Sequence, residues 1–374
     1  MDLFKMSIGD LLAILNKESK AKTPITKEDV MTSQVKVSLL KKIDKIFNKG
    51  LHFYLDPKAP RKSKESSIFF RKEEFNSDLN IGAKKIVNQF EDFKIALSAI
   101  AKLAELNIGR KLPVYNISQS PLLVANEVRG ILYPNFDSNL RGFLKALIAK
   151  LADHNILVFE FVETWNKKEK ANIDGFFLTP NVIVLKRQQR SFRREIFTLA
   201  HELGHFLLNE EEIESLDYQG LAPRNISRVE RWCNDFAYYF LIGSYRDELE
   251  NLSPSSPDND YHYDLIESIS KQTHLSKLAL YTRLLFLNKI SAENYTKIKR
   301  DEEDRYQKRL EEDERIRELE KAKGEKQRGS PPRPIKSPLL ISTIQNAFYG
   351  GVINEYEVAK RLNIKPEKVA EYIQ

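Results

Sequence analysis

Apolar positions recur at helical spacing along most of the chain and at strand spacing in one short part of it. From Ala83 to Ala104, Ile86, Val87, Phe90, Phe93, Leu97 and Ile100 fall on one face, which predicts a long helix. Shorter faces precede it. One is Leu11, Leu12, Ile14 and Leu15; the other is Val37, Leu39, Leu40, Ile43, Ile46 and Phe47, ending at Gly50. Asp56 to Ser67 is polar with prolines and reads as a loop, and Ser66 to Arg71 as a short strand or an inter-helix turn. Ser118 to Val128 and Asn139 to Asp153 predict two further helices. Ile156 to Val162 then reads as a strand. Ile173 to Leu178, Thr179-Pro180-Asn181 and Val182 to Leu185 read as strand, turn, strand.

After this strand region the helical period returns. Ile196, Leu199, Ala200, Leu203, Phe206 and Leu207 mark a buried helix. Ser227 to Leu241 is a second one, with Val229, Trp232, Cys233, Phe236, Ala237, Phe240 and Leu241 on its core face. Ser253 to Pro257 breaks the pattern, and Leu275 to Leu287 resumes it. Lys299 to Arg328 is dominated by charge and has too few apolar positions for a coiled coil, so it reads as a solvated helix or arm. Gly329 to Pro334 is a proline-rich linker. Leu340 to Gln374 reads as three short helices separated by Gly350-Gly351 and by Asn363 to Pro366.

The expected fold class is therefore α+β and mostly helical, with a small sheet packed beside the buried helix at 196–207. The expected division is a helical N-terminal region at 1–110, a core at 111–295, a charged arm and linker at 296–335, and a small helical unit at 336–374.

Composition narrows this little. The chain has 374 residues, 41% of them apolar, an ordinary globular value once glycine is added. No apolar run is long enough to span a bilayer, and the N-terminus lacks the pattern of a signal peptide. The single cysteine, Cys233, rules out a disulfide within the chain. Together these features predict an intracellular protein without a membrane partner. A net charge of +7 permits nucleic-acid binding, but lysine-rich proteins reach this value without it.

The chemistry lies in the buried helix, where Ala200-His201-Glu202-Leu203-Gly204-His205 contains His-Glu-x-x-His. Residues four apart share a helix face, so His201 and His205 can offer two imidazole nitrogens to one Zn²⁺. Glu202, offset by one residue, can reach a water held there and act as general base. A chance match would sit on an exposed helix, whereas two histidines and a glutamate in a buried one need a partner for their polar groups.

A catalytic zinc usually takes three protein ligands. Glu210, Glu211 and Glu212 follow the motif where the chain leaves the helix, and His262 and His274 are isolated. Glu230, beside the apolar face of the second helix and one turn before Asn234, is the best third ligand. It also fits a capping box, Ser227-Arg228-Val229-Glu230, in which it would only cap the helix. Both readings stand on the residues alone.

Arg194 to His205, followed by Glu230-Arg231-Trp232-Cys233-Asn234-Asp235-Phe236-Ala237, resembles the ImmA/IrrE family of zinc metallopeptidases. Cys233 replaces the usual small residue of the second segment. Asp174-Gly175 to Leu185 and Ala279 to Leu284 are also similar to the family, and the likeness runs from about 155 to 295. The resemblance implies a gluzincin-like fold, Glu230 as the third ligand, a bacterial cytoplasmic location, and cleavage of helix-turn-helix repressors or antitoxins in stress-response and toxin–antitoxin systems. Family members often carry an N-terminal helix-turn-helix. Here Leu39 to Leu55 resembles only the tail of one.

Glu355 to Ala370 also resembles a helix-turn-helix, with Ala359, Leu362, Ile364 and Val369 as its small core. A helical hairpin that packs on the peptidase or on a partner fits better, because the second helix has few side chains suited to base edges. Two functions follow. One is a zinc-dependent endopeptidase acting on a partner protein, with Tyr281 or Arg283 as candidate oxyanion donors. The other is a non-enzymatic regulator with a structural zinc site that binds a repressor or DNA.

Overall fold

The computed structural model describes residues 7–17, 23–32, 34–47, 50–55, 81–162, 170–187, 192–211, 227–322 and 334–373. The expectations for 66–71 and for the linker up to 333 lie outside them. Among the described residues four N-terminal helices, α1 (Ile8–Lys17), α2 (Lys27–Val30), α3 (Val37–Phe47) and α4 (Leu51–Leu55), precede a long α5 (Ile81–Leu103). The peptide then forms α6 (Pro121–Leu132), α7 (Leu140–Asp153), β1 (Leu157–Val162), β2 (Gly175–Leu178) and β3 (Val182–Arg187). The remaining helices are α8 (Phe192–Leu208), α9 (Arg228–Ile242), α10 (Arg246–Glu250), α11 (Tyr263–Thr273), α12 (Lys277–Phe286), α13 (Ala292–Ala322), α14 (Pro338–Tyr349), α15 (Glu355–Leu362) and α16 (Ala370–Ile373). The class is α+β, as the apolar pattern predicts.

The sheet has the order β1-β3-β2. β1 runs parallel to β3, with Leu157 opposite Val182, and β2 forms a hairpin with β3, with Gly175 opposite Leu185. Successive side chains on a strand point to opposite faces. Val158, Phe177, Ile183 and Leu185 accordingly enter one core, which they share with α6, α7, α8, α9, α11 and α12. Leu157, Phe159, Phe161, Phe176, Leu178, Val182 and Val184 enter the other. There they meet Val87, Leu97 and Ile100 of α5, and Leu340, Ile344, Ala347, Val358, Ala359 and Leu362 of α14 and α15. With both faces covered, every residue of β2 is buried, and the strands read as nearly continuous apolar runs.

The C-terminal helices thus pack on the far face of the sheet. Leu11, Leu15, Leu39, Ile43 and Phe47 of α1 and α3 form a separate small core. The charged stretch from Lys299 continues as helix to Ala322, in one piece with a first part whose Tyr295 and Ile298 are buried. Among the described residues no helix is long and apolar enough to cross a membrane.

Candidate metal centre

α8 and α9 bring the site together, and small residues set how closely they cross. A Cβ on Gly204 would lie 3.1 Å from Cα, Cβ and Sγ of Cys233, so a larger residue there would push the helices apart. The last carbonyls of α8 are capped by Arg110, whose guanidinium donates to Phe206 O at 2.5 Å and stacks on the Phe206 ring. α9 starts at Ser227, whose hydroxyl accepts from the Glu230 N–H at 3.1 Å.

Glu230 makes the contacts of both readings. Its backbone is capped by Ser227, but its carboxylate turns to the motif histidines. Oε2 lies 3.1 Å from His201 Nε2, and Oε1 lies 3.0 Å from His205 Nε2. The two Nε2 atoms are 3.1 Å apart. His201, His205 and Glu230 are all buried, and one ligand atom from each lies within 4.8 Å of the others. Among the described residues this is the one such group.

The outer nitrogens show what the inner ones can do. His201 Nδ1 faces Asn234 Oδ1 at 3.0 Å, and His205 Nδ1 faces the Glu210 carbonyl at 3.2 Å. Both partners are acceptors, so each Nδ1 carries the proton and donates. In the neutral rings each Nε2 then presents a lone pair, toward the other lone pair and toward a carboxylate. Such an arrangement is repulsive without positive charge at its centre. Two imidazole nitrogens and one carboxylate fit a divalent cation, and the donor set suits zinc.

The electrostatics point the same way. Burial works to raise the Glu230 carboxyl, but His205 and His201 outweigh it and hold it well below the usual range. Burial works to lower His205, and Cys233 and Glu230 outweigh it, raising it well above its ordinary value. Glu202 behaves oppositely. Its burial pushes the carboxyl up to about 7 against the pull of the two histidines, and its Oε2 has no hydrogen-bond partner among the described residues. A buried carboxylate with a free oxygen, beside a group that could hold a cation, is suited to accept and return a proton.

Other histidines and the suggested oxyanion donors lie elsewhere. His274 Nε2 pairs with the Asp137 carbonyl at 2.8 Å, and His262 Nε2 with Ser253 and Asn259. The Tyr281 hydroxyl donates to the Tyr261 carbonyl, and Arg283 is held by Asp235 and Glu250. Two residues beside the centre were given no role there by pattern: Gly175 and Asn234. Asn234 carried the best signal, a polar side chain one helical turn from Glu230 on an otherwise apolar face.

Residues 151–285 match the Peptidase_M78 family model, the IrrE N-terminal-like domain. No curated protein and no solved structure matches the chain. The matched span contains all three strands, both site helices and every residue of the cluster.

Proposed function

We propose, for a chain whose residues 151–285 form an IrrE N-terminal-like domain of the M78 peptidases, zinc-dependent hydrolysis of a peptide bond in a partner protein. The observation that carries this reading is Glu202. It lies beside the His201–His205–Glu230 cluster with an unpartnered oxygen and a carboxyl raised to about 7. A structural metal site has no use for such a base.

A divalent cation on His201, His205 and Glu230 supplies a Lewis acid that polarises the substrate carbonyl and acidifies water. Glu202 accepts a proton from the water as its oxygen bonds to the carbonyl carbon. It then returns the proton to the nitrogen as the carbon–nitrogen bond breaks. Asn234 and the Glu210 carbonyl hold the two rings so that their Nε2 atoms face inward. β2, whose first residue Gly175 leaves room for Glu202, is the strand along which an extended substrate would reach the site by adding to a sheet edge.

The proposed substrate is a helix-turn-helix repressor or antitoxin, as the family resemblance implies. The test is cleavage of such a protein by wild type and by Glu202→Gln. The variant should keep its fold and bound metal and lose cleavage by about 100-fold or more, the scale of a lost general base. Equal cleavage by both would remove Glu202 from the reaction. A regulatory effect in cells that survives in Glu202→Gln would support the non-enzymatic alternative.

A further inference from the structure

α8 is left within three residues, and each of them has a task. Asn209 takes the left-handed conformation at φ 55°, a common way to end a helix. Glu210 folds back on the motif: its N–H donates to the His205 carbonyl at 3.1 Å, and its own carbonyl accepts from His205 Nδ1 at 3.2 Å. Glu211 is 7% exposed, and its Oε1 accepts from both the N–H and the hydroxyl of Thr179, at 2.6 and 2.8 Å. Thr179 lies in the turn between β2 and β3, and its carbonyl is held in turn by Lys94 of α5 at 2.8 Å.

The two histidines therefore differ in what fixes them. His201 leans on Asn234, a side chain in the body of α9. His205 leans on a main-chain carbonyl beyond the end of its helix, whose place depends on whatever anchors that segment. Among the described residues one anchor is the buried side chain of Glu211, which is costly to bury unless its bonds compensate.

We propose that Glu211 is a positioning residue for the metal centre. By clamping the chain to Thr179, it holds the Glu210 carbonyl against Nδ1–H of His205 and so aims His205 Nε2 at His201 and Glu230. This rests on the metal-site reading above. The mode of action is geometric: Glu211 does not ligate, and one well-placed oxygen is enough to accept both Thr179 donors.

The test titrates the metal-free full-length chain with Zn²⁺ against a competing chelator. Wild type, Glu211→Ala and Glu211→Gln are compared, with the thermal unfolding of each metal-free chain recorded beside them. Glu211→Ala should weaken zinc binding measurably, by at most the roughly 10- to 100-fold that losing a direct outer partner of a ligand costs. Glu211→Gln retains the accepting oxygen and should stay within about threefold of wild type on that scale. In NMR spectra the hydrogen-bonded His205 Nδ1 proton should persist in wild type and Glu211→Gln and be lost in Glu211→Ala. Wild-type affinity in a folded Glu211→Ala chain would overturn the proposal, as would a Glu211→Gln chain as weak as the alanine variant. Should Glu211→Ala not fold, Thr179→Val, which removes the hydroxyl donor alone, should weaken zinc binding in the same direction; unchanged affinity there would overturn it too. A wild-type chain that takes up no zinc would instead refute the metal site itself.

Discussion

Gly175 leaves the space that the Glu202 carboxylate occupies. A Cβ built on Gly175 would stand 3.1 Å from Glu202 Oε1, 2.7 Å from Thr198 Cγ2 and 3.1 Å from the Val184 carbonyl. The first residue of β2 is therefore without a side chain because the strand crosses directly over the base.

Gly175→Ala should accordingly impair the reaction more than the fold. Overpacking of this kind costs about 1–3 kcal/mol of stability, and a base displaced by about 1 Å can cost about 100-fold in rate. Metal content should stay at the wild-type level. The check is cleavage rate and metal content on one preparation; an alanine variant with wild-type turnover would show that Gly175 does not set the position of Glu202.

Arg187 and Glu195 join the end of β3 to the first turn of α8. Arg187 Nη1 lies 2.6 and 2.7 Å from the two Glu195 oxygens, both residues are buried, and the guanidinium covers the Phe192 ring. Removing one partner from a buried pair strands the other charge, so Glu195→Ala should destabilise by about 3–5 kcal/mol. Arg187→Met with Glu195→Leu removes both charges and should cost far less. Denaturant unfolding of Arg187→Met, Glu195→Leu and the double variant decides it; a double loss equal to the sum of the two single losses would mean the pair is not a coupled unit.

Glu160 on β1 should make stability depend on pH. Its Oε2 accepts from the Ile335 N–H, and its Oε1 has no hydrogen-bond partner among the described residues. Burial pushes the carboxyl from its ordinary 4.5 up to about 7, against the pull of the Ile335 N–H. Between these values the folded chain holds a proton that the unfolded chain has lost, so this group's contribution to stability falls as pH rises through the window. Glu160→Gln removes the titration. Its stability relative to wild type should climb from about pH 4.5 to about pH 7, by up to about 3 kcal/mol. Unfolding curves at four pH values check this; parallel pH profiles for the two chains would contradict it.

Much of this arrangement was legible in the sequence because it is local. The four-residue spacing of His201 and His205 places both rings on one helix face, and apolar runs such as Val182 to Leu185 mark the strands. Ala359, Leu362 and Val369 were legible as apolar positions, but the sequence reads them as the small core of a helix-turn-helix, whereas they join the larger core on the sheet. What the sequence left open depends on tertiary contacts. Ser227 and Glu230 fit a capping box, and only the crossing of α8 and α9 turns the carboxylate away from the cap toward the histidines. Glu211 meets Thr179 from 32 positions away, beyond the reach of any periodicity. Tyr281 and Arg283 carry polar ends on an apolar helix, but those ends pair with Tyr261, Asp235 and Glu250.

The most direct test is the metal content of purified, folded chain after zinc loading and dialysis, compared with His201→Ala, His205→Ala and Glu230→Ala. Wild type should hold about one zinc per chain, and each variant should lose it while remaining folded. If Glu230 served only as a cap partner, Glu230→Ala would lose about 1 kcal/mol of stability and keep its zinc. A folded wild type without metal, or a Glu230→Ala chain that still holds about one zinc, would contradict the three-residue site.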